Sequence, residues 1–177
     1  MDHLHTTDEI FFGNGALDRA QAEAIIREAL VDADDGELFL EMRHAEMLMI
    51  DDGRLKSASY DQSSGFGLRA IAGEAHGYAH AGDLSEAALQ RAADSVKAVT
   101  RGYSGTAAQP PVSASNRPLY GDGNPLVGTP FETKVTLLQE IDAFARAADP
   151  RVVQVSASVS GSWQAVQIIR ADGHRAA

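Results

Sequence analysis

Two glycine-centred turns most constrain what this chain can fold into. The tripeptide Asp51-Asp52-Gly53 and the pair Gly73-Glu74 each lie between two segments that have the composition of strands. Glycine supplies the positive φ that tight hairpin turns need, so each site predicts two antiparallel strands joined by a short turn. Between about Glu37 and Gly82 we therefore expect up to four consecutive strands, arranged as an antiparallel meander.

A third hairpin is predicted in "RVVQVSASVSGSWQAVQIIRADG", with its turn at Gly161-Ser162 and Trp163 as an anchor. Three other segments have helical periodicity. Asp18 and Ser85 are the expected N-caps of the first two segments, and Thr129, Pro130 and Glu132 form a capping box at the third. The third helix is expected to bury one apolar face, made of Val135, Leu138, Ile141 and Ala145. The sequence thus predicts an α+β fold: a predominantly antiparallel sheet built from hairpins, with about three helices packed on one face.

The domain organisation follows from length and local composition. A chain of 177 residues is long enough to bury a good core, and we expect a single domain over residues 1–177. Residues 1–15, which include His3 and His5, are expected to fray as a polar terminus. Residues 103–129 are rich in Gly, Pro, Ser and Asn, which is typical of an extended irregular connection.

Charge and composition exclude several classes of function. Fifteen Lys and Arg stand against 25 Asp and Glu, a net charge of −10, whereas nucleic acid and anionic membranes both require a basic face. The chain has no cysteine, so it has no disulfide, thiolate ligand or thiol nucleophile. The N-terminal segment has no basic stretch before an apolar run, so a signal peptide is not expected, and no apolar run approaches the roughly 18 residues of a membrane span. A cytoplasmic location is expected.

His76 and His80 have the spacing that binds zinc on a helix. Three nearby glycines argue for a strand, where two residues four apart are about 13 Å apart. Zinc binds imidazole nitrogen at about 2 Å, so one ion could not easily reach both rings. We therefore expect solvent-facing strand histidines and no metal site. An enzyme that uses His76 and His80 together with the surrounding carboxylates is kept as a separate hypothesis.

The remaining motifs do not assemble a catalytic site. Gly65, Gly67 and Ala70 have a G-x-G-x-x-A spacing, but no apolar strand precedes them and no helix follows, so a close backbone approach on a strand is the favoured interpretation. The aspartates at residues 32–35 and 51–52 fall at turns and lack EF-hand spacing. Arg69 is the single weak candidate for a substrate-binding residue, and the favoured alternative is an ion pair on the sheet surface. No catalytic residue and no metal ligand is predicted.

The sequence resembles the N-terminal region of the TldD/PmbA family, once called modulators of DNA gyrase. The resemblance rests on Lys56, Ser59 and Tyr60, then on "GFGLR" from Gly65 to Arg69, and then on an ordered series of further positions: Gly73, Glu74, Gly77 and Ala79. The later segments "PLYGDGNPL" and "IIRADG" are similar too, as is the segment that begins "KVTLLQEIDAFARAADP". The similarity runs from about Phe11 to Gly173.

The resemblance implies a zinc-dependent peptidase that acts on peptides or unfolded segments, paired with a PmbA-type (TldE) paralogous subunit. The zinc site of the family is a H-E-x-x-x-H helix, with the Glu as general base, and a cysteine further on. This chain contains neither, so no catalytic residue is carried over, and zinc is expected in a C-terminal half that is absent here. The expected function is the non-catalytic N-terminal portion of such an enzyme, which shapes the peptide channel and the subunit contacts. The alternative is a free-standing, non-enzymatic interaction module.

Overall fold

The computed structural model describes residues 3–102, 121 and 123–177. Its helices are, in chain order, α1 His3–Phe12, α2 Arg19–Ala29, α3 Glu86–Thr100 and α4 Phe131–Ala148. Its strands are β1 Asp35–Asp51, β2 Arg54–Ala72, β3 Ala75–Ala81, β4 Ser156–Arg170 and β5 Arg175–Ala176.

The described strands form one five-stranded sheet in the order β3-β2-β1-β4-β5. With the four described helices, this antiparallel sheet confirms the predicted α+β class. Asp52 and Gly53 have positive φ, at 49° and 68°, and join β1 to β2 as predicted. Gly73, with φ 58°, joins β2 to β3, which pair antiparallel from Phe66↔Ala81 to Ala72↔Ala75.

The predicted hairpin at Gly161-Ser162 is wrong, because both residues lie inside the continuous strand β4. The glycine is there for packing. A Cβ added at Gly161 would lie 2.8 Å from Cδ2 of Leu126, so the missing side chain leaves the space that this leucine fills. Similarly, three strands occupy residues 37–82 where up to four were expected, since β1 and β2 each run on without a break.

The chain divides into two compact units, and the first comprises Met1–Met42, Ser64–Asp122 and Ala165–Ala177. Here α3 packs on β3 so closely that a Cβ on Gly77 would meet the Val96 carbonyl oxygen at 3.2 Å. The predicted caps are confirmed: Asp18 accepts a hydrogen bond from the Gln21 amide, and Ser85 accepts one from the Ala88 amide. The core of this unit is apolar and contains, among others, Leu17, Ile26, Leu38, Leu40, Leu68, Leu89 and Val96.

The expectation of a frayed terminus at residues 1–15 is wrong for His3–Phe12, which form α1. Phe11 is 1% exposed and Thr7 is buried as well, so an aromatic side chain and a polar one anchor this helix. Gln167, fully buried on β4, donates hydrogen bonds to the Thr7 hydroxyl at 3.1 Å and to the Asp8 carboxylate at 2.9 Å. The polar residues of α1 therefore have partners far along the chain, which local composition does not reveal.

The second unit comprises Arg43–Ser63 and Gly123–Gln164. Its core is the cluster Leu48, Ile50 and Leu138, with partly buried apolar side chains packed against it: Val135, Ala157 and Val159. The predicted capping box of α4 is wrong, because Pro130 occupies the N-cap and no side chain caps the helix. Ile141, expected in the buried face, is 44% exposed. Leu138 is buried as predicted, and the other buried residue of the helix is Asp142.

The predicted connection at residues 103–129 falls largely outside the described residues, which resume at Gly123. Residues 123–130 have no helix or strand, and the single domain expected over residues 1–177 stays a prediction. Among the described helices, none combines the length and the hydropathy needed to cross a bilayer.

Candidate functional site

Arg69, the predicted binding residue, lies on β2 and is engaged in ion pairs. Its guanidinium lies 3.3 Å from the Glu37 carboxylate and 3.8 Å from that of Asp35. The Asp35 carboxylate also forms an ion pair with the Arg170 guanidinium, at 2.8 Å. The ion pair that the sequence offered as the alternative is therefore present. A role for Arg69 in binding stays a prediction.

His76 and His80 lie on one exposed face of the strand β3, as predicted, with Tyr78 between them. The rings of Tyr78 and His80 stack at 5.6 Å, and the Tyr78 ring also covers Gly67, whose added Cβ would meet the phenol oxygen at 2.8 Å. The expected close backbone approach is found at Gly65, where an added Cβ would meet the Ala81 carbonyl oxygen at 2.7 Å, whereas at Gly67 the close neighbour is a side chain. Within residues 3–102, 121 and 123–177, no group of three or more His, Cys, Asp or Glu side chains could hold a metal ion.

The aspartates at the β1–β2 turn have structural contacts. The Gln154 amide and the Ser156 hydroxyl donate hydrogen bonds to Asp51, at 3.1 and 2.8 Å, and hold its pKa below the ordinary value of 3.8. Asp52 accepts a hydrogen bond from the Val155 amide at 3.2 Å and from Arg146. Both side chains therefore fasten the turn to the residues around the start of β4.

The second unit has a groove of about 470 Å³ that the sequence did not predict. Its lining comes from three neighbouring strands: Arg43, Ala45, Glu46 and Met47 of β1, Ser59 and Asp61 of β2, and Ser160, Gly161 and Ser162 of β4. A period of two places alternate residues of a strand on one face, so small and polar residues of three separate segments meet here, whereas Glu46 and Gly161 are out of phase with the other lining residues. The alternating serines of β4 are the signal that the sequence offered, but only the strand order brings them beside β1.

The groove has charges of both signs. Within the part of the chain that the structure describes, no ion pair or side-chain hydrogen bond is formed by Arg43 or Asp61, whereas Glu46 is bound by Lys134 at 2.6 Å. Three serine hydroxyls, each able to donate and to accept, complete the polar lining. Among the described residues that line the groove there is no imidazole, and hydroxyls together with charges of both signs are groups that can bind a polar chain.

The opposite side of β1 carries His44, whose ring lies between two aromatic rings. Its centroid is 5.9 Å from that of Tyr60 on β2 and 5.2 Å from that of Trp163 on β4. A segment that we name the strap, residues 123–129, runs alongside. The strap places Asn124 3.2 Å from Nδ1 of His44 and buries Leu126 against Gly161.

Two family domains match this chain. Residues 36–100 match PmbA/TldA metallopeptidase domain 1, and residues 124–177 match the PmbA/TldA metallopeptidase central domain. A metalloprotease TldD homolog of Haemophilus influenzae is 35% identical over 146 residues, which is 81% of this chain and 30% of that protein. A homolog of the same name from Buchnera aphidicola is 29% identical over 81% of this chain and 30% of its own length.

Solved structures share the fold. TldE from Thermococcus kodakarensis superposes with a TM-score of 0.62 at 16% identity, over 88% of this chain and 36% of that one. A modulator of DNA gyrase from Bacteroides thetaiotaomicron superposes with a TM-score of 0.64 at 13% identity, over 89% of this chain and 37% of that one. The chain spans about a third of the length of these relatives. The two matched domains together take in more than half of its residues, and the chain belongs to the TldD/PmbA family of metallopeptidases.

Proposed function

We propose that this chain is the N-terminal, non-catalytic portion of a TldD-like zinc metallopeptidase that cleaves peptides or unfolded segments. Its groove would hold an extended stretch of the substrate and form part of the channel that leads to the metal. The observation that carries this proposal is the groove itself, an open depression across three strands with hydroxyls, one free cation and one free anion among the described residues. Such a lining can bind a chain without cutting it.

The chemistry of the lining is suited to an unfolded peptide. Hydroxyls of Ser59, Ser160 and Ser162 can donate to carbonyls or accept from amides, so they can serve the backbone of any sequence. Arg43 and Asp61 can pair with side chains of either sign, and the flexible thioether of Met47 adapts to irregular apolar groups. These features favour broad specificity over recognition of one sequence.

The rest of the mechanism belongs to residues beyond this chain. Zinc and the general base would come from the part of the relatives that this chain does not match, and a PmbA/TldE-like paralogue would be the partner subunit in the cytoplasm. A surface for subunit contacts is supported by α4, where Leu137, Ile141 and Phe144 recur at helical spacing and are 49%, 44% and 77% exposed. Exposed apolar side chains that adjoin on one helix face are typical of protein contacts.

A chimera tests the proposal. The segment of the Haemophilus influenzae homolog that corresponds to this chain is replaced by residues 1–177, and zinc-dependent cleavage of an unstructured peptide is measured. The double variant Arg43→Ser/Asp61→Ser should raise KM about tenfold, equivalent to roughly 1.4 kcal/mol, and leave kcat within about twofold. Arg54→Ser/Glu74→Ser, which removes one exposed charge of each sign outside the groove, is the matched control.

The outcomes separate the two candidate functions. A chimera that cleaves normally with the groove charges removed would refute the substrate role of the groove. A chimera with no cleavage, while residues 1–177 alone bind the same peptide, would favour the free-standing interaction module.

A further inference from the structure

The strap is fixed to the sheet by an amide whose orientation can be assigned. The backbone amide of Leu126 donates to Oδ1 of Asn124 at 2.9 Å. Because a backbone amide can only donate, this contact identifies the oxygen of the Asn124 side chain. The nitrogen Nδ2 must then be the atom 3.2 Å from Nδ1 of His44.

This orientation determines the protonation of His44. Nδ2 of Asn124 can only donate, so Nδ1 of His44 must accept and carries no proton. A neutral imidazole then has its proton on Nε2, which is buried and has no hydrogen-bond partner among the described residues. The groups packed against the ring are Tyr60 of β2, Trp163 of β4 and Asn124 of the strap. Two residues along β1, the carboxylate of Glu46 is bound by Lys134 of α4, and Nε2 of His44 has no hydrogen bond to it.

We propose that His44 is a proton-controlled latch for the strap. A second ring proton would sit on Nδ1, facing the amide hydrogens of Asn124, so a donor would meet a donor at 3.2 Å. Rotating the Asn124 side chain by half a turn does not resolve the conflict, because the Leu126 amide would then face Nδ2. The strap therefore opens when His44 takes up a proton, and it closes when the ring is neutral. Acidification supplies this proton and is therefore the perturbation that tests the latch.

The latch goes beyond the proposed function and is tested on residues 1–177 alone. Nitrogen NMR of His44 at pH 8 should show the tautomer protonated on Nε2, and a ring protonated on Nδ1 would overturn the assignment. Between pH 8 and pH 5.5, the hydrogen-exchange protection of the Leu126 amide, corrected for the intrinsic pH dependence of exchange, should fall about tenfold. That factor corresponds to the loss of one buried hydrogen bond. Protection of the Ala88 amide, which is bonded to Ser85 on α3, should stay constant in the same spectra.

Two variants should change how the protection of the Leu126 amide responds to acidification. His44→Gln keeps an acceptor for Asn124 but does not titrate, so protection of the Leu126 amide should become independent of pH. Asn124→Asp replaces the donor with a carboxylate oxygen, which can accept from a protonated His44, and here acidification should increase protection. A fall in protection in Asn124→Asp equal to that of the unmodified chain, or a constant value in the unmodified chain, would refute the latch.

Discussion

Gly161 and Leu126 form a contact whose energetics can be predicted from one distance. Replacing Gly161 with alanine would place a methyl group 2.8 Å from Cδ2 of Leu126, closer than packed carbon atoms approach. The leucine is 8% exposed, and its terminal methyl groups are the flexible part of the side chain. Partial relief is therefore available, and we expect Gly161→Ala to lower the free energy of unfolding by about 1–2 kcal/mol.

Truncating Leu126, the other side of this contact, should leave a cavity in place of the steric clash. Leu126→Ala removes buried methyl groups and should cost about 2–4 kcal/mol, the transfer term plus the space that is left. In the double variant the methyl group of residue 161 occupies part of that space. The double variant should therefore be about 1 kcal/mol more stable than the sum of the single effects predicts, as coupled neighbours in contact allow.

Urea unfolding followed by fluorescence measures the free energy of unfolding of the unmodified chain, the two single variants and the double variant. The chain has one tryptophan, Trp163, which belongs to the same unit as the contact and reports on it directly. Gly128→Ala is the matched control, since its added Cβ would have its nearest neighbour at 4.0 Å, and we expect a change below about 0.5 kcal/mol. Strictly additive effects at residues 126 and 161, or a neutral Gly161→Ala, would refute the packing argument.

Three further predictions concern single side chains. The Gln154 amide and a neighbouring serine hydroxyl depress the pKa of Asp51, so this carboxylate stabilises the fold above pH 3.8 and the contribution disappears as the pH falls through its lower folded value. Urea midpoints between pH 6 and pH 2 should therefore fall less steeply in Asp51→Asn than in the unmodified chain. Lys134→Met leaves Glu46 without its cation in a half-buried site and should cost about 3 kcal/mol at pH 7, and a cost below about 1 kcal/mol would contradict the ion-pair argument. Ser85→Ala removes the cap of α3 and should cost about 1 kcal/mol, measured by thermal unfolding in the far-UV, and an unchanged Tm would contradict the capping role.

Local features of the fold could be predicted from the sequence because their causes are local. The turn at Gly53 requires a positive φ that glycine supplies, and the caps at Asp18 and Ser85 bond amides three residues on. Gly161 looked equally like a turn, but its cause is Leu126, which lies 35 positions earlier and in another segment. Apolar periodicity likewise placed Ile141 in a core, because a helix with two apolar faces does not reveal which one is covered.

The candidate site was less predictable still. Arg69 attracted attention because it stood among glycines, yet its neighbours across the sheet include Glu37, which neutralises it. Arg43 and Asp61 carried no local signal, since each is one charged residue in an alternating strand. Only the order of β2, β1 and β4 in the sheet brings them to the same groove.

The contact between Asp8 and Arg175 joins residues 167 positions apart within one unit. It therefore bears on when this unit can complete its fold during synthesis. Synthesis at about 5–20 residues per second would separate the appearance of these two residues by roughly 10–30 s. Helix α1 forms its partnership with Gln167 only near the end of that interval. Throughout the delay the Thr7 hydroxyl and the Asp8 carboxylate lack the hydrogen bonds that Gln167 of β4 donates, so this part of α1 is completed only when the last strands have been made.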